Sequence, residues 1–233
     1  MLLSASGPLL QSWLAHIRPE RSPYRLYAVS NIGSLLGLLS YPFVFEPNFT
    51  LGYQSLLWSV GYFVFALFCA GCAWFLLPKK VNIGVRDSDE KNPPKAVINS
   101  NRGATVTSIS GWLVLSACGS ALLLATTNQL SIDVAVVPFL WVLPLSIYLL
   151  SFILCFDSDR WYFRPLFFAV LPLVLMNTVR VLYEGVYLDF TEQIVSYCAT
   201  LFVCCMCLHG ELSKRKPDPA QLTLFYLYVS IGG

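Results

Sequence analysis

Charged residues are scarce in this chain. Asp, Glu, Lys and Arg make up 12% of its 233 residues, whereas a typical soluble domain contains about 25%. Hydrophobic residues make up 56%, and the mean hydropathy is +0.64. This balance excludes a water-soluble globule, and it excludes a disordered chain or a heptad rod because both need abundant charge. The composition therefore predicts an all-α integral membrane protein with several spans.

Known catalytic and nucleotide-binding motifs are also missing. The sequence contains no GxGxxG or GxxxxGK[ST], no HExxH and no GxSxG. Its largest polar segment, residues 79–110, has about 30 residues, while a folded domain needs about 50 or more. The sequence therefore predicts no catalytic residue, no cofactor and no nucleic-acid partner. The lipid bilayer is the first partner expected.

The basic residues fall into four clusters that are separated by apolar stretches. Between Gly111 and Phe156, 46 residues contain no Lys or Arg, which is about 69 Å of helix and roughly twice the ~30 Å hydrocarbon core. That stretch must form a hairpin of two spans. Because basic loops stay on the cytoplasmic side, we predict a multi-pass protein of the inner (plasma) membrane. Its cytoplasmic loops are residues 16–25, 79–110, 157–164 and 211–219, which hold all 15 Lys and Arg except Arg180.

Hydrophobic length predicts six complete helices and two partial ones. Residues 1–15 and 220–233 are too short to cross, because a span needs about 20 residues, so we expect partial helices there from a fragment of a longer protein. A first helix group covers residues 1–78, a polar cytoplasmic linker covers 79–110, and a second group covers 111–233. The complete helices are predicted at residues 26–45, 53–77, 111–128, 134–156, 165–183 and 193–209.

Asn128 and Asp133 bracket the tip of the hairpin between the third and fourth complete helices. The helix that follows contains Pro138 and Pro144, and proline frees backbone carbonyls that a cavity or a neighbour must satisfy. This favours a polar membrane site beside a broken helix. The simpler interpretation is that Asp133 only caps the N-terminus of the fourth helix. A third helix-breaking proline, Pro172, lies in the next predicted helix.

Arg180 is the one basic residue outside the four clusters, and it lies one turn from Asn177 near the outer end of its helix. An ionisable group within a span indicates function, with an anionic substrate group or Asp133 as its partner. Glu184 lies four residues after Arg180, so a local ion pair at the membrane interface is the simpler interpretation.

Eight cysteines suggest metal or redox chemistry. Cys69 and Cys72 form a CxxC, and three thiols in residues 204–207 precede His209 and Glu211. Zinc needs four converging ligands, whereas successive residues of a helix point about 100° apart. We therefore predict no metal site and interpret these cysteines as small apolar residues that let helices approach. His209 and Glu211 stay candidates for a polar membrane site.

Longer strings of residues carry a family resemblance along most of the chain. They are GPLLQSW at 7–13, PYRLYAVSNIGSLL at 23–36, YP at 41–42, EP at 46–47, VPFLWVLPL at 137–145, FILCFD at 152–157 and HGEL at 209–212. These strings resemble the membrane portion of bacterial spermidine synthase-like membrane proteins, in which a major facilitator-like bundle is fused to a spermidine synthase domain. Some members carry an aminopropyltransferase domain after the bundle, and no position of this chain matches it.

The resemblance implies part of a major facilitator-like bundle in two halves, with residues 79–110 as the central cytoplasmic loop. The remaining helices or the synthase domain of a longer protein would then be its partners. On this interpretation the chain either anchors a polyamine synthase or transports a polyamine, whose ammonium groups Asp133 and Glu211 would suit. The alternatives are a general small-solute carrier, which the proline-broken helix favours, and a non-catalytic structural subunit of a membrane complex.

Overall fold

The chain is almost wholly helical wherever its structure is described. The computed structural model describes residues 24–76, 106–133, 140–158, 160–217 and 221–233. These residues form eight α-helices, a π-helical segment at Tyr41–Phe45 and a 3-10 turn at Gly185–Tyr187, and they contain no strand. The α-helices are α1 (Tyr24–Ser40), α2 (Glu46–Asn48), α3 (Leu51–Leu76), α4 (Val106–Asp133), α5 (Val142–Asp157), α6 (Arg164–Glu184), α7 (Phe190–Lys214) and α8 (Leu222–Gly232).

Several of these helices expose apolar side chains on all sides. Gln54 is the one buried residue among those whose burial is described in Leu51–Cys72 of α3, and Phe68 and Trp74 are more than two thirds exposed. A bilayer tolerates such a surface and water does not, so the predicted all-α class is confirmed and the helices are those of a multi-pass membrane protein. Five segments of the described chain are long and apolar enough to cross a membrane: Ala28–Asn48, Leu51–Cys72, Ser108–Ile132, Arg164–Glu184 and Phe190–Lys214.

Near the hairpin tip, the helices begin and end at residues other than those predicted from hydrophobic length. The helix predicted at residues 111–128 runs from Val106 to Asp133. The helix predicted at 134–156 is described from Val142, and its 16 residues make about 24 Å of helix, less than the ~30 Å hydrocarbon core. Residues 134–139 lie outside the described part of the chain, as do the predicted partial helix at 1–15 and most of the linker at 79–110.

Pro42 accounts for the change of helix type after α1. The predicted helix at residues 26–45 is α-helical to Ser40 and π-helical from Tyr41 to Phe45. Proline has no backbone N–H, and its ring collides with the carbonyl four residues earlier in a regular α-helix. A wider π turn moves that carbonyl away, so the segment stays helical through the proline.

The described helices fall into two compact units. In the unit that contains α1 and α4 to α8, α7 is the central helix: it packs against α4, α5 and α6, while α1 packs on α5 and α8 packs on α4. In the candidate span of α7, 61% of the apolar window is buried, compared with 17% in that of α4 and 6% in that of α6. The side chains of α7 therefore supply most of the interior of this unit.

Two apolar clusters fill that interior. In the larger cluster, Trp112 from α4 packs edge to face against Phe225 from α8, with ring centroids 5.3 Å apart. Phe152 and Phe156 from α5 and Leu212 from α7 complete its centre. The smaller cluster joins Leu130 of α4, Val181 of α6 and Tyr197 of α7. Ala28 of α1 also belongs to the larger cluster, so the two clusters together contain buried residues from every α-helix of this unit.

The second unit contains the π-helical segment, α2 and α3. Gln54, in the first turn of α3, is the buried polar side chain here, and its Nε2 donates to the carbonyl of Phe49 at 2.9 Å. The ring of Phe45 packs against Trp58 with centroids 6.1 Å apart. These contacts join residues 45–49 to the first two turns of α3.

Candidate functional site

The imidazole of His209 on α7 is completely buried, with 0% of the residue exposed. Its ring stacks on Phe152 of α5, with centroids 3.7 Å apart and planes 25° apart. Tyr148, one turn earlier on α5, meets the same ring edge to face at 4.9 Å. Two aromatic rings of α5 thus fix the orientation of the imidazole inside the unit.

A hydrogen-bonded chain connects His209 to the backbone of α5. His209 Nδ1 lies 2.8 Å from Ser151 Oγ, and that hydroxyl donates to the carbonyl of Tyr148 at 2.7 Å. Ser151 is fully buried as well. A buried polar group in a membrane helix is costly unless it is hydrogen-bonded, and the Ser151 contact supplies such a bond on one side of the ring.

The other ring nitrogen has no such partner. His209 Nε2 is buried, and no hydrogen-bond partner lies near it among the described residues. It faces Gly119 in the middle of α4, where a methyl carbon added to the glycine would lie 3.1 Å from Nε2. Glycine at this position lets α4 approach the imidazole closely.

A cavity lies beside this ring cluster, between α1, α4, α5 and α8. Its volume is about 350 Å³, and its lining includes Asn31, Ser116, Ser120, Tyr148, Phe152 and Ser230. The phenol oxygen of Tyr148 lies 3.3 Å from Ser120 Oγ across this space. The lining is therefore mainly apolar, with several hydroxyls and one amide among leucine, valine and aromatic side chains, and it contains no charged side chain. We call His209, Ser151, Tyr148, Ser120 and Gly119 the histidine cluster.

Comparisons with protein families, with curated proteins and with solved structures find no significant match to this chain. The resemblance to spermidine synthase-like membrane proteins therefore stays a prediction.

Arg180 forms ion pairs with two carboxylates. Its Nε lies 3.4 Å from Glu184, four residues later, and its terminal nitrogen lies 2.5 Å from Glu192 at the start of α7. The local ion pair that the i, i+4 spacing predicts is confirmed, and Glu192 adds a second one across the 3-10 turn. All three side chains are about half exposed, so this is an interfacial pairing in which Arg180 has carboxylate partners close to its own helix.

Asn177 belongs to a polar contact line between α6 and α7. Its side-chain amide donates to Ser196 at 3.0 Å, and the hydroxyls of Thr178 and Thr200 meet at 2.5 Å. Hydrogen bonds of this kind join membrane helices. Asn177 thus connects α6 with α7, and it is not part of the histidine cluster.

Glu211 lies at the opposite end of α7 from Glu192, in a network with the loop before α6. It accepts a hydrogen bond from the Tyr162 phenol at 3.1 Å and pairs with Arg164 Nε at 3.0 Å, while Lys214 lies over the Tyr162 ring at 4.8 Å. Burial, with the nearby Glu211 carboxylate, raises the pKa of Tyr162 above its ordinary value. Two residues of separation on one helix keep Glu211 on a different face from His209.

The remaining predicted positions lie away from the cluster. Asn128 is exposed on α4, and Asp133 is the last residue of that helix, with a side chain outside the described part of the structure. Trp141, and not Asp133, immediately precedes α5. Pro138 also lies outside the described residues.

Pro144 and Pro172, which were predicted to break helices, lie at different positions in their helices. Pro144 lies in the first turn of α5, where its missing N–H would have no helical acceptor in any case, so it does not break that helix. Pro172 lies inside α6, and the helix continues through it.

The cysteines separate into exposed and packed groups. Cys69, Cys72 and Cys118 are exposed, whereas Cys204, Cys205 and Cys207 are buried on α7. Within the described residues no three or more His, Cys, Asp or Glu side chains converge on a common point. Cys118, Cys204 and Cys207 instead line a second, almost wholly apolar cavity of about 530 Å³ between α4, α6 and α7. Their surroundings are those of small hydrophobic residues.

Sequence reasoning missed the partners of His209. Ser151 and Tyr148 have no distinguishing pattern in an apolar helix. Ser116, Gly119 and Ser120 do follow the spacing of small residues that allows helices to pack closely, and this was the available signal. What that spacing does not reveal is which side chain lies on the facing helix.

Proposed function

We propose that this chain is the membrane module of a multi-pass inner-membrane protein and that it binds a small solute in the cavity beside the histidine cluster. One observation supports this most: a fully buried histidine lies beside a cavity whose mainly apolar lining includes several hydroxyls and one amide and no charged side chain. An ionisable side chain inside a membrane protein is costly, and this makes it a candidate for a functional site. A volume of about 350 Å³ falls within the range of small-molecule sites.

The finer topology is part of this proposal. It comprises six complete and two partial helices in a major facilitator-like arrangement, with the basic loops at 16–25, 79–110, 157–164 and 211–219 in the cytoplasm. Contacts between two of these loops support a common side: Arg164 pairs with Glu211, and Lys214 lies over Tyr162. The acidic and basic residues around Arg180 lie at the other end of α7.

The resemblance and the cavity lining favour different solutes. A spermidine synthase-like module would anchor a polyamine synthase or carry a polyamine. Polyamines carry several positive charges, which need carboxylates in a low-dielectric site. Glu184, Glu192 and Glu211 are paired with arginine, and no described Asp or Glu side chain lines the cavity. The lining therefore favours the second candidate, a carrier for a small uncharged solute that is recognised by hydroxyl, amide and aromatic groups.

Uptake into proteoliposomes distinguishes these functions. The full-length protein would be reconstituted and tested with radiolabelled spermidine and putrescine, and in parallel with small uncharged polyols and amides. Saturable uptake of the polyamines supports polyamine transport, and saturable uptake of an uncharged solute supports the general carrier. If no solute shows saturable uptake while the protein is inserted and folded, the carrier proposal is wrong and the structural-subunit or anchoring role is favoured. Aminopropyltransferase activity that purifies with the native membrane protein would identify the anchoring role.

A further inference from the structure

The hydrogen-bond contacts around His209 favour one position for the proton of the neutral ring. Ser151 Oγ has one hydrogen, and it is donated to the carbonyl of Tyr148. The 2.8 Å contact between Ser151 Oγ and His209 Nδ1 therefore needs its hydrogen from the imidazole. In the neutral ring Nδ1 then carries the hydrogen, and Nε2 has the free lone pair.

That lone pair lies in an unusual position. Nε2 is fully buried and faces the Cα of Gly119 across a close helix contact, and no donor lies near it in the described bundle. Nε2 is the basic nitrogen of the ring in this tautomer. The histidine cluster thus contains a buried base that lies beside the backbone of a neighbouring helix at Gly119.

The groups around the ring do not offer it a counter-charge. From α5 the titratable neighbour is Tyr148, with Ser151 and Phe152 beside it. From α7 it is Cys205, one turn before His209, whose thiol lies near Ser151 and Tyr148. From α4 come Gly119 and, next to it in the chain, Cys118 and Ser120. None of these side chains is charged at neutral pH, since phenols and thiols ionise at ordinary pKa values of about 10 and 8.5.

We propose that His209 is an intramembrane proton-binding site, which takes up one proton on Nε2 and thereby weakens the contact between α4 and α7. The step forms one N–H bond at Nε2 and breaks one O–H bond of a hydronium ion, which becomes water. The ring becomes an imidazolium, and Nδ1 keeps its hydrogen bond to Ser151. The new N–H would lie beside Gly119, and no hydrogen-bond partner lies near Nε2 among the described residues, so the N–H needs water or a solute oxygen to enter between the helices. Proton uptake and separation of α4 from α7 are therefore linked.

Nitrogen NMR tests the site directly. The chain has two histidines, and His16→Gln leaves His209 as the single labelled residue when 15N-histidine protein is studied in lipid bilayers. At about pH 8 the proposal expects a protonated Nδ1 and a bare Nε2, and at about pH 5 it expects both nitrogens to be protonated. A proton on Nε2 at the higher pH, or a neutral ring at the lower pH in folded protein, overturns the proposal. Ser151→Ala is the matched control, because it removes the acceptor and should mix the two tautomers.

A distance measurement tests the link to helix separation. Spin labels would be placed through unnatural amino acids at Ile132 on α4 and Val195 on α7, both of which are at least 60% exposed. The α4 to α7 distance should increase between about pH 8 and pH 5 in the native chain and stay constant in His209→Asn. If the ring titrates and the distance does not change, the link is wrong. If the distance changes equally in His209→Asn, another group is responsible and the proposal fails.

Discussion

Gly210 on α7 offers the sharpest test of how this bundle packs at its basic end. Substitution by alanine would place a methyl carbon 2.5 Å from two carbons of the Tyr162 ring, including the carbon that joins the ring to its chain. That part of a tyrosine cannot rotate away, so the ring as a whole must shift. Tyr162 is 6% exposed, and its phenol donates to Glu211 at 3.1 Å, so the shift also removes this hydrogen bond.

The expected loss of stability follows from these contacts. Overpacking a closed site costs about 1 to 3 kcal/mol. Loss of a hydrogen bond to a partly buried carboxylate costs about 1.5 to 3 kcal/mol. Alanine regains up to about 1 kcal/mol because it is a better helix former than glycine. We therefore expect Gly210→Ala to lower the free energy of unfolding by about 2 to 4 kcal/mol.

The assay is equilibrium unfolding in mixed detergent micelles with increasing SDS, followed by tryptophan fluorescence. Gly37→Ala is the matched control, because Gly37 lies on α1 with no atom within 4 Å of an added methyl. It should leave stability unchanged or raise it slightly through helix propensity. If Gly210→Ala is as stable as Gly37→Ala, the packing argument is refuted.

A double-mutant cycle separates the ring contact from other effects. In Tyr162→Ala the ring is gone, so adding Gly210→Ala should cost much less than it does in the native chain. Two penalties that simply add would show that Gly210 acts through something other than Tyr162.

Three further outcomes are expected. Arg180→Ala should cost less than about 1 kcal/mol in the same SDS assay and leave uptake unchanged, because its two ion pairs are half exposed; a large loss of uptake would contradict this. In a spectrophotometric titration Tyr162 should ionise above the ordinary tyrosine pKa of about 10, and Glu211→Gln should lower that pKa. Because the pKa of Tyr162 is raised in the folded protein, the neutral phenol contributes stability that is fully present below about pH 10 and is lost as the pH rises further. The free energy of unfolding of Tyr162→Phe should therefore fall less at alkaline pH than that of the native chain. Gly119→Ala should destabilise the fold by about 1 to 3 kcal/mol, because its methyl would lie 3.1 Å from His209 Nε2; stability equal to that of Gly37→Ala would refute the close contact.

The sequence predicted the class of the fold because membrane spans are encoded by length and apolarity. Runs without Lys or Arg and the scarcity of charge identify the long helices. The ion pair between Arg180 and Glu184 was also predictable, since it depends only on the spacing within one helix. Its second partner, Glu192, follows a turn whose geometry the spacing does not encode.

The histidine cluster could not be assembled from the sequence. Ser151 and His209 are 58 positions apart, and they meet only because α5 and α7 pack side by side. Apolar helices exposed to lipid show no polar face that would indicate which side points inward. For the same reason Glu211 was expected to face a cavity, whereas packing of the loop before α6 pairs it with Arg164. Pro144 was expected to break a helix, and the helix begins two residues before it.

The central claim, that a small solute binds in the cavity beside the histidine cluster, is tested most directly by filling that cavity. Ser230 lines it from α8, whereas Ser59 lies on an exposed face of α3 and bonds only to its own helix at Ser55. Uptake of the panel of polyamines and uncharged solutes would be measured for Ser230→Phe and Ser59→Phe in proteoliposomes matched for inserted protein. The account predicts that Ser230→Phe abolishes the saturable uptake and that Ser59→Phe retains it. Equal uptake by the two variants would contradict the account.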